Sequence, residues 1–378
     1  MGAWQIEERV EALAARGVEI VDPRQTYVAP DVSPQRVCSG VVLHPGTRLR
    51  GARTFLGPGV EVGAEGPATL VDAVLGPRAR IDSGYVEGAV LLDDARAGYG
   101  AHLRPGTLLE EEASTAHCVG LKHTILLSFV TLGSLINFCD VLMAGGSSRK
   151  DHSEVGSGFI HFNFTPWGAR GDKATASLVG DVVHGVFLRE PRIFLGGAGG
   201  LVGPTSVGYG SVTGAGQVVR RPVADGRLVI ETLPKLDRPL SVAKLDKLQP
   251  RMGRNVAYVA QLVALRAWYQ HVRLARVPSG DEHHARRMVL TAALETLDAC
   301  IAERVTRLSA FVAERGGSMP ALQLEPPVPP CPLPIEPGAS DHVAWVKGLD
   351  AGAVEAGIAW LTGIASAVAA EPAAAPVP

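Results

Sequence analysis

Residues 91–114 read Leu91-Leu-Asp-Asp-Ala-Arg-Ala97-Gly-Tyr-Gly-Ala-His-Leu103-Arg-Pro-Gly-Thr-Leu-Leu109-Glu-Glu-Glu-Ala-Ser114, and a six-residue beat runs through them without a break. Leu91, Ala97, Leu103 and Leu109 fall six apart, and Ala95, Ala101, Thr107 and Ala113 each follow four residues later. The beat also shows at Leu75/Ala79 and Ile81/Tyr85 and returns at Val207/Ser211. This is the period of a hexapeptide β-helix. An aliphatic side chain points into a narrow prism at each step, a small one sits four later, and Gly or Asp takes the corner backbone that bulky residues resist. Three steps, roughly 18 residues, close one coil. A β-sandwich is the alternative, but its turns recur at about 8–12 residues and do not hold a six-residue beat.

Outward from this stretch the coils extend from about Val41 to Val219, loosened at Ala64–Thr69. Upstream, Ile6, Val10 and Leu13 share one face of a predicted helix over residues 4–16 that Gly17 ends, and residues 18–23 read as a strand. Downstream of Leu121 the beat turns irregular and bulky polar residues collect: Lys122, His123, Asn137, Asp140, Arg149, Lys150, His152, His161, Asn163, Arg170, Asp172, Lys173 and His184. Departures of this kind from a structural repeat mark loops, which carry function. Beyond a Pro-containing strap at 220–239 the period becomes helical over 240–276 and 281–315, with Pro250 and Gly253 expected to split the first segment. A Pro-rich connector at 326–337 and a short helical element at 341–369 follow. The expected architecture is mainly β, a left-handed parallel β-helix with a C-terminal α-helical extension. Its parts are a leading helix and strand at 1–24, the β-helix at 25–223, a linker at 224–240, the extension at 241–370 and a disordered tail at 371–378.

The 378 residues carry a net charge of −2, which argues against a general nucleic-acid binder. Five scattered cysteines without a C-x-x-C pair suggest neither a disulfide framework nor a zinc site. No signal peptide and no charge-free apolar run of about 18 residues stand out, so the expectation is a cytoplasmic protein without membrane contact.

From the residues alone, Arg104 and Lys122 are 18 apart, one coil, and predict two cations stacked on the wall where a phosphate can accept from both. The plainer reading is a solvated pair. His152 and His161 flank the irregular region and are candidate catalytic bases, with structural hydrogen bonding as the alternative for each. The run Gly196–Gly203 lacks the Gly-Lys-Ser/Thr ending of a P-loop and reads as a surface loop, a trimer contact or a backbone nest for a phosphate. Glu110-Glu-Glu112 reads as a solvated corner, and the adjacent His283-His284 as surface.

The order of motifs resembles the C-terminal half of bifunctional N-acetylglucosamine-1-phosphate uridyltransferase/glucosamine-1-phosphate acetyltransferases. The resemblance rests on Val10–Pro23, Thr26-Tyr27, the hexapeptides and Ala101-His-Leu-Arg-Pro-Gly-Thr-Leu-Leu109, and it covers roughly residues 8–223. Leu132–Asp140 and His152–Pro166 are also similar to pyrophosphorylase-related hexapeptide-repeat sequences that lack a nucleotidyltransferase domain. Carried over by position, the resemblance implies that Arg104 and Lys122 contact a sugar phosphate. Asn163 stands at the asparagine of the family's Cys-Asn-Tyr-Asp motif, and Lys173 matches a substrate-site lysine. The family's acetyl-transfer histidine is replaced by Asn137, in the run Leu135-Ile-Asn-Phe-Cys-Asp140, and a neutral amide cannot take a proton from an attacking amine. An insertion, Gly145–His152, brings Arg149 and Lys150, and Gly185-Val186 stands where the family has Gly-Ser near coenzyme A.

The resemblance implies a homotrimer with sites between adjacent prisms, and a sugar phosphate or nucleotide sugar as ligand. Two readings stay open. One is an acyl-CoA-dependent acyltransferase with a rebuilt site, catalysed by His152 or His161 and binding substrate through Arg104, Lys122, Asn137, Asp140, Arg149, Lys150, Asn163 and Lys173, without a metal. The other is a non-catalytic sugar-phosphate-binding or scaffolding trimer that engages a partner through its helices. Nucleotidyl transfer is not expected, because these residues hold no Gly-rich pyrophosphorylase loop.

Overall fold

Every inward position of the quoted stretch is buried: Leu91, Ala95, Ala97, Ala101, Leu103, Thr107, Leu109 and Ala113 are each 2% exposed or less. The reason is the corner between them. Asp94, Gly100, Gly106, Glu112 and Cys118 fall six apart and all take positive φ, between 56° and 80°, so each six-residue step turns the chain from one wall to the next. The computed structural model describes residues 3–163, 173–231, 248–338 and 341–368, and in it the chain is a parallel β-helix with a helical extension.

An 11-stranded sheet forms the first face, from Glu19–Ile20 to Leu228–Val229. The other two faces belong to a 16-stranded sheet. They are joined where Gly120–Leu126 and Asn137–Met143 run through a corner as continuous strands. In the regular part the register advances by the expected coil, pairing Arg96 with Ser114 and Leu103 with Leu121. The helix Ala3–Ala14 covers one end, with Val10 and Leu13 buried and Gly17, at φ +83°, closing it. Residues 196–199 are not a protruding loop: they turn the wall from Phe194–Leu195 to Gly200–Val202, and a Cβ on Gly196 would lie 2.4 Å from the backbone of Gly214 one coil on.

The helical extension differs from expectation in two respects. Leu248–Trp268 is one helix that runs through Pro250 and Gly253. The residues directly before Leu248, on which the first half of the expected split falls, lie outside the described residues. The interruption comes instead at Tyr269–Arg273, a π-helical turn. His284–Ala313 follows and packs on the third face at Val74–Leu75 and Val90–Leu91. The last element is two helices, His342–Gly348 and Ala351–Val368. Ala351–Val368 is long and apolar enough to cross a membrane by length and composition. In the structure it packs against Leu248–Trp268 and the short helix Val182–Gly185, burying Val354, Trp360, Leu361 and Ile364.

The corner at Glu110–Glu112 is not solvated as expected. Glu110 and Glu111 are buried, and the π-helical turn closes over them. The Tyr269 hydroxyl donates to Glu110 Oε1 at 2.7 Å, Arg273 Nη1 donates to the same oxygen at 3.3 Å, and Arg273 Nη2 donates to Glu111. Ser128 donates its N–H and hydroxyl to Glu110 Oε2. Burial outweighs these partners at Glu110 and pushes its carboxyl above the ordinary range. At Arg273 the balance is reversed: burial is overcome by Glu111 and Glu110, which hold the guanidinium firmly protonated. This clasp ties the extension to the third face of the β-helix.

Candidate functional site

The irregular beat has a specific geometry. Positive φ recurs at Cys118, His123, Phe129, Leu135 and Asp140, so the corners at His123 and Asp140 arrive after five residues instead of six. Both lie on the edge between the second and third faces, where the two continuous strands pass. Losing one residue stacks the side chains of His123 and Asp140 on neighbouring coils, Nδ1 to Oδ1 3.5 Å apart.

Asp140 is the hub of this edge. Arg304, from the extension helix His284–Ala313, reaches it with Nη2 at 3.0 Å, and Asn163, from the next coil, donates Nδ2 to Oδ2 at 3.4 Å. Arg304 also donates Nη1 to the Lys173 carbonyl at 3.4 Å. Asp140 is buried, and burial alone raises a carboxyl. Here the interaction with His123 and the charge of Arg304 win, and the group lies below its usual value.

His161 is packed beneath the same edge. Its Nδ1 is 2.5 Å from the Cys139 carbonyl, which can only accept, so that nitrogen carries the proton. Nε2 then accepts from the Ser177 hydroxyl at 2.9 Å, and the Ser177 oxygen accepts from the Thr205 N–H at 3.1 Å. Burial pushes the imidazole down to about 4, so it is neutral at physiological pH.

On the second face, Arg104 lies beside Lys122, as the register of Leu103 with Leu121 and the Arg104 N–H to Leu121 carbonyl bond require. Lys122 in turn pairs with Cys139 on the next strand. Arg104 Nη2 meets the Cys139 thiol at 3.4 Å, and its buried Nε has no partner. Among the described residues neither Arg104 nor Lys122 has a carboxylate within ion-pair distance. Gly120 stands between His102 and Asn137 in the adjoining column and leaves a notch beside the two cations. Asn137 is exposed there.

The structure therefore gathers Arg104, Lys122, Asn137, Asp140, His161, Asn163 and the backbone of Lys173 along one edge and the wall beside it. Arg149, Lys150 and His152 lie elsewhere, on the hairpin of Gly146–Ser148 and Asp151–His152, which leaves the wall between the third and first faces. Arg149 donates to the carbonyls of Glu112 and Phe129 and to the Thr131 hydroxyl, and Lys150 is exposed. His152 Nδ1 is 2.9 Å from the Arg149 carbonyl and its Nε2 is 3.9 Å from Glu154. It borders a groove of ≈ 710 Å³ with Arg192, Phe194 and Val212. Among the described residues no group of three His, Cys, Asp or Glu could hold a metal.

Two residues of the edge escaped the sequence reading, His123 as more than one polar departure among many and Arg304 altogether. The shortened spacing, Leu121 to Leu126 and Phe138 to Met143, is the signal that could have singled out His123 and Asp140. Nothing local to residues 300–308 announces Arg304, since its partner lies far back in the chain.

No family model matches the chain. It is 30% identical over 226 residues to bifunctional protein GlmU of Mycolicibacterium vanbaalenii, a match covering 60% of this chain and 40% of that protein. It is 33% identical over 219 residues to bifunctional protein GlmU of Clavibacter sepedonicus, covering 58% and 39%. The chain spans about two fifths of the length of the curated relatives it matches. A solved structure of the polySia-specific acetyltransferase NeuO covers 56% of this chain at 12% identity, but its TM-score of 0.16 supports no argument. The relatives agree with the motif resemblance: the chain is related to GlmU through a hexapeptide-repeat β-helix.

Proposed function

We propose that this protein binds a sugar phosphate or nucleotide sugar at the Arg104–Lys122 wall and transfers an acyl group to it from acyl-CoA in the cytoplasm. The observation that carries the reading is the pair of cations on adjacent coils, in register and without a carboxylate partner among the described residues. A phosphate placed there accepts charge-assisted hydrogen bonds from both, two of them from one guanidinium. Asn137 and Asn163 offer neutral donors and acceptors for sugar hydroxyls, and Lys173 a third cation. The protein acts as a homotrimer. On its own chain His152 lies on the hairpin away from this wall, and it acts as base only if a neighbouring prism presents that hairpin there. For His161 to act as base, it must first surrender the Ser177 bond.

A second reading, a binding or scaffolding trimer without catalysis, is favoured by Asn137 in the place of the family's histidine and by the engaged nitrogens of His161. A coenzyme A release assay with a panel of amino-sugar phosphates separates the two. Acyl transfer predicts release that depends on one acceptor of the panel. Absence of release together with absence of acyl-CoA binding assigns the protein to the binding class.

A further inference from the structure

Resting on the acyl-transfer reading, we infer that His123 is the proton acceptor of this site. Asp140 is then its positioning carboxylate, and Arg304 of the helical extension is the residue that fixes Asp140. The lost histidine of the family is thus replaced from a different corner of the prism, and the extension completes the site.

The shortened corners at His123 and Asp140 set the geometry. They turn His123 so that Nδ1 faces a buried carboxylate on the next coil at 3.5 Å, an orientation that favours the Nδ1–H tautomer, in which Nε2 is the basic nitrogen. Among the described residues Nε2 has no hydrogen-bond partner, and the side chain keeps 15% of its surface accessible. His161, in contrast, has both nitrogens engaged. His123 directly follows Lys122, so the imidazole is anchored one residue from a phosphate-binding cation.

Two further features hold the ring in place. Gly106, at φ +80° on the preceding coil, lies against it: a Cβ there would come within 2.2 Å of His123 Cδ2 and 3.1 Å of Cys300 Sγ. Cys300 itself lies one helical turn before Arg304 and donates its thiol to the Gly106 carbonyl at 3.4 Å. The extension helix therefore contacts both Gly106, against which the imidazole lies, and Asp140, which faces its Nδ1. Arg304 is nine-tenths buried and makes its closest carboxylate contact with Asp140, so it holds that oxygen in a fixed direction.

In the step assigned to this dyad, the acceptor amine or hydroxyl forms a bond to the acyl carbon of the thioester. The C–S bond breaks, and its electron pair leaves on sulfur as the coenzyme A thiolate. The proton shed by the attacking atom passes to His123 Nε2 and returns from there to the thiolate. General-base assistance of this kind contributes about 10²–10⁴-fold to rate.

The test uses the full chain, with glucosamine 1-phosphate as acceptor probe and acetyl-CoA as donor. His123→Gln is expected to lower kcat about 100-fold or more while leaving the Kd for glucosamine 1-phosphate within twofold. Arg304→Gln is expected to lower kcat in the same direction, with partial recovery in Arg304→Lys. Imidazole nitrogen NMR supplies a readout that does not need turnover. The wild type should show His123 protonated at Nδ1, and Asp140→Asn should change that signal while the circular dichroism spectrum stays native. A His123→Gln variant that turns over within threefold of wild type overturns the assignment, as does a wild-type His123 protonated at Nε2 alone. Wild-type protein that binds the sugar phosphate but releases no coenzyme A sinks acyl transfer, and with it the role of base, whereas the NMR result still decides whether Asp140 and Arg304 position the ring.

Discussion

Replacing Arg273 with methionine is expected to destabilise the protein by about 3–5 kcal/mol at neutral pH, because it leaves the carboxylates of Glu110 and Glu111 buried without their cation. The tyrosine hydroxyl of the clasp offsets only part of that loss, since one neutral donor cannot balance two charges. The effect has a definite pH dependence. Burial already raises Glu110, and burial together with Glu111 holds neighbouring Asp93 up to about 6. A carboxyl raised in the folded state contributes stability that is full below its unfolded value, 3.8 for Asp93, and is lost as pH rises through the folded value. Without Arg273 these groups rise further. The deficit of the variant is therefore expected to be largest near pH 8 and to shrink toward pH 5. Urea unfolding followed by tryptophan fluorescence, at both pH values, checks this, as Trp268 and Trp345 lie in the same part of the extension. Adding Glu110→Gln and Glu111→Gln should restore much of the loss. An Arg273→Met midpoint equal to wild type would mean that the extension does not depend on the clasp.

The double variant Arg104→Ala with Lys122→Ala is expected to weaken glucosamine 1-phosphate binding by about 100-fold or more. Hydrogen bonds to charged groups contribute roughly 1.5–3 kcal/mol each, and two are lost together. Neither side chain serves a carboxylate among the described residues, so the thermal midpoint should stay at the wild-type value. Calorimetry on both proteins measures the first quantity and differential scanning the second. Undiminished affinity would remove the phosphate from this wall. A fall in both quantities would instead make the two cations part of the fold.

How much of this was legible in the sequence differs by element. The prism was, because its period is local: Leu91 and Leu103, twelve apart, reach the interior for reasons contained in the residues between them. The stacking of Arg104 on Lys122 followed from the same period. The relation of Arg149 and His152 to that pair was not legible, since a hairpin insertion leaves the wall where the coil has room for it and no period predicts which edge that is. Glu110–Glu112 misled for another reason. Three consecutive carboxylates look like a solvated corner until Arg273 and Tyr269 close over them from about 160 residues away in sequence. Gly253 misled because a single glycine inside a long helical period lowers helix preference without ending the helix. The stretch 164–172, where the sequence places Arg170, Asp172 and an insertion, lies outside the described residues, as do 232–247 and the tail from 369.

A phosphate held by Arg104 and Lys122 on the second face of the β-helix is the feature on which the proposed function stands. A crystal structure of the full chain with glucosamine 1-phosphate tests it most directly. The phosphate is predicted within hydrogen-bond distance of the Arg104 guanidinium and of Lys122 Nζ, with the sugar lying toward Asn137 and His123. Phosphate density at the Arg149–Lys150 hairpin, with the Arg104–Lys122 wall empty, would contradict the account.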